Sequence, residues 1–128
     1  MTESLPSFVA SDQFMEYLQV TNDILNDGRR YGDKKVKIAI LDTGVDLTHP
    51  EVRKLLDEAR EWRPRRDRIT STSFIKSIGD GKDHNGHGTH IAVTVMRIAA
   101  WAEVYAATVA DATGKVHNKS VVKASNLN

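Results

Sequence analysis

Apolar residues fall in blocks of differing period along this chain, and each change of period marks a change of element. Phe14, Leu18, Thr21 and Leu25 recur at helical spacing between Ser11 and Asn26. They predict an amphipathic helix, with Ser11 as its cap and Gly28 as its stop. Arg29 to Lys35 is a polar connection into Val36-Lys37-Ile38-Ala39-Ile40-Leu41. That stretch is β-branched and almost continuously apolar towards its end, as an interior strand is. Asp42 terminates it. An ionisable side chain just past an apolar strand sits where open α/β sheets place their active sites.

Pro50 opens a short helix through Leu56, and the charged stretch from Glu58 to Arg68 reads as surface. Ser71 to Gly81 holds turn formers around Phe74, Ile75 and Ile78, which suits one short strand or an irregular loop. From His87 to Trp101 the period lengthens again. Ile91, Val95, Ile98 and Ala102 mark a buried helical stripe, and Ala92, Ala99 and Ala100 permit close helix approach. Val104 to Ala110 reads as a second strand, closed by a turn at Asp111-Ala112-Thr113-Gly114, and His117 to Asn128 can begin another helix. The order strand, connection, helix, strand predicts an α/β fold with a parallel sheet, because a helical crossover spans the return and covers an apolar sheet face.

At 128 residues the chain has the length of one domain. A hydrophobic content of 40% with 27% charged residues fits a globular chain better than a disordered one. Eighteen basic against seventeen acidic residues leave a formal charge of +1, too balanced to point to nucleic acid. The arginines at 60, 63, 65, 66 and 68 are diluted by Glu61 and Asp67 and read as a solvated loop, with Trp62 packing beneath their stems. Trp101 and Tyr105 read as packing residues. With no cysteine, disulfides and thiolate chemistry are excluded. The first residues lack the pattern of a signal peptide, and no run approaches the roughly 20 apolar residues that span a bilayer. An intracellular address is the default expectation, and neither a membrane nor a nucleic-acid partner is expected.

Candidate chemistry is concentrated in two segments. The first is Ile40-Leu41-Asp42-Thr43-Gly44-Val45-Asp46. Taken alone, Asp42 can orient a histidine, belong to a pair of protease aspartates, bind a metal or anchor its loop, while Asp46 reads as a loop residue. The second is Asp83-His84-Asn85-Gly86-His87-Gly88-Thr89-His90-Ile91-Ala92. His87 stands at the entry to the apolar helix, between glycines that allow a close backbone turn. An imidazole there can take a hydroxyl proton while a carboxylate holds its other ring nitrogen.

Together, Asp42-Thr43-Gly44 and His87-Gly88-Thr89-His90-Ile91-Ala92 strongly resemble the aspartate and histidine segments of subtilisin-like serine peptidases. The resemblance runs from about Val36 to Ala110 and includes the alanine-rich helix and the strand after it. It implies an α/β domain, a partial subtilisin-like parallel sheet flanked by helices that belongs to a three-layer architecture in the complete family domain. It also implies endoproteolysis through an acyl-enzyme, with Asp42 and His87 as catalytic aspartate and histidine, and His90 as support for the histidine helix. A polypeptide substrate or protein partner follows, with no cofactor required. Some members bind structural calcium, which no residue here locates. On this reading residues 1–35 form a helical extension and connection, and residues 36–128 a truncated peptidase domain.

Departures from the family pattern shape the functional expectation. Val93 stands where the family has glycine, and its branched side chain is expected to crowd a helix contact and shift the helix. No Gly-Thr-Ser nucleophile segment follows His87, and neither Ser120 nor Ser125 lies in a suitable glycine-bearing turn. Asn118, Asn126 and Asn128 do not match the region of the oxyanion asparagine, a donor worth about 3 kcal/mol at the transition state. The expectation is a serine endopeptidase by lineage whose site is incomplete or inactive in this chain, with a missing downstream domain possible. A noncatalytic protein-binding module on the same fold is the alternative. Two other readings carry less. His84, His87, His90 and Asp83 could be taken as zinc ligands, and Asp42-Thr43-Gly44 as half of a dimeric aspartic protease site. An incomplete domain also predicts an exposed apolar sheet edge or helix face, with residues 104–110 near that boundary.

Overall fold

A computed structural model describes residues 12–18, 20, 36–59, 68–99 and 102–126. In chain order the elements are β1 (Lys37–Asp42), α1 (Pro50–Ala59), β2 (Ile69–Ser73), α2 (His87–Ile98), β3 (Glu103–Thr108) and α3 (Asn118–Ser125). The fold is α/β, with a 3-stranded sheet in the order β1-β3-β2. Both ladders are parallel, and the register sets Ile40 beside Ala106 and Asp42 beside Thr108.

One sheet face is the core. Ile38 and Ile40 of β1, Val104 and Ala106 of β3 and Ile69 of β2 pack with Val52, Leu55 and Leu56 of α1 and Ala92 and Met96 of α2. Alternation along a strand sends the next residues to the other face, where Leu41 and Tyr105 are exposed. In α1 the buried residues Val52, Leu55, Leu56 and Ala59 complete one helical stripe. The helix therefore runs past Leu56, where the short helix was expected to end, and takes Glu58 out of the charged stretch.

The structure corrects several expectations. β3 is the central strand, so residues 104–110 are not at the sheet boundary, and β1, expected in the interior, pairs on one side only among the described residues. The exposed apolar surface lies instead on the outward sheet face. Tyr105 stands there, its hydroxyl donating to Glu103 Oε2 at 3.1 Å, because position 105 alternates away from the core.

The buried stripe of α2 is Gly88, Thr89, Ala92 and Met96, while Ile91 and Val95 flank it and Ile98 is exposed. The stripe is set at its start by Gly88, where a Cβ would overlap the Gly44 backbone, and runs on through Ala92 and Met96 into the core. Val93 is half-buried against the core, and α2 continues unbroken past it.

β2 begins at Ile69, earlier than the Ser71–Gly81 stretch suggested, and Arg68 is buried where a solvated loop was expected. Arginines 60, 63, 65 and 66, with Trp62 and Trp101, lie outside the described residues. Residues 12–18 are helical, with Phe14 exposed and Leu18 half-buried. The remainder of the expected N-terminal helix, apart from helical Val20, lies outside the described residues.

Candidate active site

β1 delivers Asp42 to the carboxyl end of the sheet, and the end of β3 holds it there. The amides of Val109 and Ala110 both donate to the Asp42 carbonyl, at 2.9 and 3.2 Å. Past Asp42 the chain turns at Gly44, whose φ of +105° is left-handed. A Cβ at Gly44 would lie 2.3 Å from the Lys82 carbonyl oxygen.

The histidine segment docks on this turn backbone to backbone. A Cβ at Gly88 would sit 2.0 Å from the Gly44 carbonyl oxygen, so only glycine fits. Gly86, by contrast, has open space around it and is needed for its φ of +100° at the cap of α2. The glycines flanking His87 thus have separate tasks, one turning the chain and the other allowing contact.

Asp83 ties the segments together. Its Oδ1 accepts from the Thr43 hydroxyl at 2.8 Å and from the amides of Asn85 and Gly86. Its Oδ2 accepts from the Thr89 amide at 2.9 Å and the Thr89 hydroxyl at 2.6 Å. Thr43 Oγ1 in turn accepts the Gly88 amide at 2.9 Å. Burial works against the charge on Asp83, but the hydrogen bonds from Thr89, Gly86 and Thr43 outweigh it and lower its pKa. From the sequence alone Asp83 reads only as a neighbour of possible zinc-binding histidines. The readable signal was an Asp just before an Asn-Gly turn and a helix start, where a carboxylate can satisfy otherwise unpaired amides.

With both segments in place, His87 Nδ1 lies 2.9 Å from each carboxylate oxygen of Asp42. The Asp42 side chain is 18% exposed and that of His87 is 63% exposed. A carboxylate only accepts, so Nδ1 carries the proton and Nε2 keeps its lone pair. The hydrogen bond to Asp42, followed by its charge, raises the His87 pKa above 6.5, with desolvation opposing and Asp83 adding a smaller contribution.

Other candidates are engaged elsewhere. Asp46 stays in its loop, accepting from the Thr48 amide and hydroxyl, and the Thr48 hydroxyl leads in lowering its pKa. His90 lines a concavity of about 240 Å³ with Asp46, His49 and Glu51, beside Asp83 and Thr89. Among the described residues no group of three or more His, Asp or Glu is gathered to hold a metal ion. His84, His87 and His90 are not gathered as metal ligands, and the Nδ1 of His87 is turned to Asp42. Ser120 is buried and donates its hydroxyl to the Phe74 carbonyl at 2.8 Å, and Ser125 donates to Val121.

A family model described as the subtilase family matches residues 33–122, which include both segments and the strands that carry them. The chain belongs to the subtilase family. Its parallel sheet, with α1 and α2 packed on the core face, matches that part of the subtilisin-like three-layer architecture. Among curated subtilases, the chain is 30% identical over 92 residues to Subtilisin-like protease 1 of Plasmodium vivax, covering 63% of this chain and 14% of that protein. It is 33% identical over 66 residues to the Major intracellular serine protease of Bacillus subtilis, covering 48% of this chain and 17% of the relative. With Subtilisin Savinase of Lederbergia lenta it shares 32% identity over 97 residues, covering 69% of this chain and 30% of that enzyme. The chain therefore spans under a third of the length of these relatives.

Proposed function

We propose that Asp42 and His87 form the acid–base half of a serine endopeptidase that hydrolyses peptide bonds in polypeptide substrates. The observation that carries this reading is the 2.9 Å contact from His87 Nδ1 to Asp42, in a subtilase segment that leaves the ring largely exposed. Asp42 orients the ring and stabilises the imidazolium. Nε2 accepts the proton of an attacking serine hydroxyl and returns it to the leaving amine.

Catalysis further requires that hydroxyl and donors for the oxyanion. Ser120 and Ser125 are committed to main-chain carbonyls. In this reading the 128 residues alone are an inefficient peptidase, and rapid turnover takes a serine-bearing segment beside them. The test is to incubate the pure chain with a peptide library and a fluorophosphonate probe, then map cleavage and adducts by mass spectrometry. Neither turnover nor a stoichiometric adduct is expected. Catalytic cleavage with an adduct at Ser120 or Ser125, lost on His87→Ala, would overturn the incomplete-site reading. Tight peptide binding without hydrolysis in a form of the protein that carries a serine segment would favour a noncatalytic binding module.

A further inference from the structure

Away from the Asp42–His87 pair, a groove of about 650 Å³ opens between residues 74–77 and 115–120. Phe74, Ile75 and Val116 give it apolar walls, and Lys76, Lys115 and Lys119 line it with positive charge. All three lysines are exposed, and among the described residues no Asp or Glu lines the groove. Nor do these ammonium groups form an ion pair within the described residues. The neighbouring carboxylates keep their charge but are held by hydrogen bonds in their own loops, outside the lining of the groove. Asp111 accepts from the Thr113 hydroxyl, the Lys115 amide and His117 Nε2, and Asp80 accepts the Ser73 amide. Since the whole chain carries only +1, this cluster is a local concentration of charge rather than a sample of a basic surface.

The walls are fixed to the frame that holds Asp42. Ser120 Oγ donates to the Phe74 carbonyl at 2.8 Å, joining one wall to the other. The Phe74 amide donates to Thr108 and the His117 amide to Val109, at the same end of β3 whose next amides hold Asp42. On the active-site side, Asn85 Nδ2 donates to the Ala112 carbonyl at 3.0 Å, linking the histidine loop to the loop that leads into the groove.

We propose that this groove is a docking subsite for an acidic segment of the polypeptide substrate. An apolar side chain of the segment lies against Phe74 and Val116, and its carboxylates face Lys76, Lys115 and Lys119. Charge complementarity selects the occupant, since a basic segment would meet like charge on each wall and a neutral one would gain no attraction from the ammonium groups. The assignment of the occupant as substrate rests on the peptidase reading of Asp42 and His87. The chemistry of the groove does not.

Fluorescence anisotropy of the full chain with labelled peptides of alternating Glu and Leu, Gln and Leu, or Lys and Leu tests the proposal. The Glu/Leu peptide is expected to bind most tightly, more weakly as salt rises, and about tenfold more weakly to the double variant Lys115→Glu, Lys119→Glu. His87→Ala is expected to leave this binding unchanged. A thermal melt of the double variant checks that its exposed substitutions preserve the fold. Equal binding of the Glu and Gln peptides, no binding of the Glu/Leu peptide at low salt, or binding unaffected by the double variant would each overturn the groove. Because no turnover is read, failure of the peptidase reading leaves these outcomes untouched.

Discussion

Gly88 rests on Gly44 with no room for a methyl group, since a Cβ at Gly88 would lie 2.0 Å from the Gly44 carbonyl oxygen and 3.0 Å from its nitrogen. This contact brings the two chemical segments together, so the spacing between Asp42 and His87 depends on the lack of a side chain at another position. Gly88→Ala is expected to cost about 2 kcal/mol, because main-chain atoms must move to relieve the overlap. It should also draw His87 away from Asp42. Gly86→Ala meets nothing within 4 Å and incurs only the strain of its positive φ, about 1 kcal/mol. Urea unfolding of both variants checks the order, and equal losses would contradict the contact.

The raised pKa of His87 has a signed consequence for stability. A histidine whose pKa is higher in the folded state favours folding in full below its unfolded value near 6.5, and loses that contribution as pH rises through the folded value. Replacing Asp42 with Asn leaves an oxygen that can accept from Nδ1 but removes the negative charge that favours the imidazolium. In Asp42→Asn, imidazole NMR should show His87 titrating closer to 6.5, and the decline in stability above that pH should flatten. An unchanged titration would mean that the pair is not formed in solution.

Asp83 behaves with the opposite sign. Its folded pKa lies below the ordinary 3.8, so its contribution is present above that pH and is lost as acid carries the protein down through the folded value. Asp83→Asn retains an accepting oxygen but presents an amide to one set of donors, at an expected cost of about 1–2 kcal/mol. Acid unfolding should also depend less on pH below 3.8. Because the Asp83 charge also adds to the raised pKa of His87, the His87 titration should move slightly towards 6.5 in Asp83→Asn.

The strand ending at Asp42 and the helix starting at His87 were legible because each combines a strong apolar period with a chemical residue at its end. Their meeting was legible too, since both ends fall at one rim of a parallel sheet. β2 was harder to read. Ile69-Thr70-Ser71-Thr72-Ser73 is a polar strand with one face turned outward, and its alternation is hidden among turn formers. The stripe of α2 was displaced because hydrophobicity favours Ile91 and Val95, whereas the buried face begins at the Gly88 contact with Gly44 and continues through Thr89, Ala92 and Met96. Small side chains carry little periodic signal. Asp83 went unrecognised as a hub because hydrogen bonding to Thr43 depends on a contact between distant segments.

Arg68 was concealed by its neighbours, and it supports the last prediction. It follows a run of exposed-looking charge, yet it is only 4% exposed. Its Nε donates to the Ala102 carbonyl at 3.1 Å and its Nη2 to Met96 at 2.8 Å, with a further bond to Ala99. These carbonyls close α2 and lead into β3, and the last turn of a helix has carbonyls without intrahelical partners and a partial negative charge. A planar guanidinium reaches several acceptors at once, which an ammonium cannot reproduce from the same position. Arg68→Met fills similar space but strands buried acceptors, and it should cost about 3 kcal/mol. Arg68→Lys should recover only part of this loss. Calorimetric melting of both variants, with hydrogen exchange at the end of α2, checks the claim. Wild-type stability in Arg68→Met would show that the helix end finds other partners.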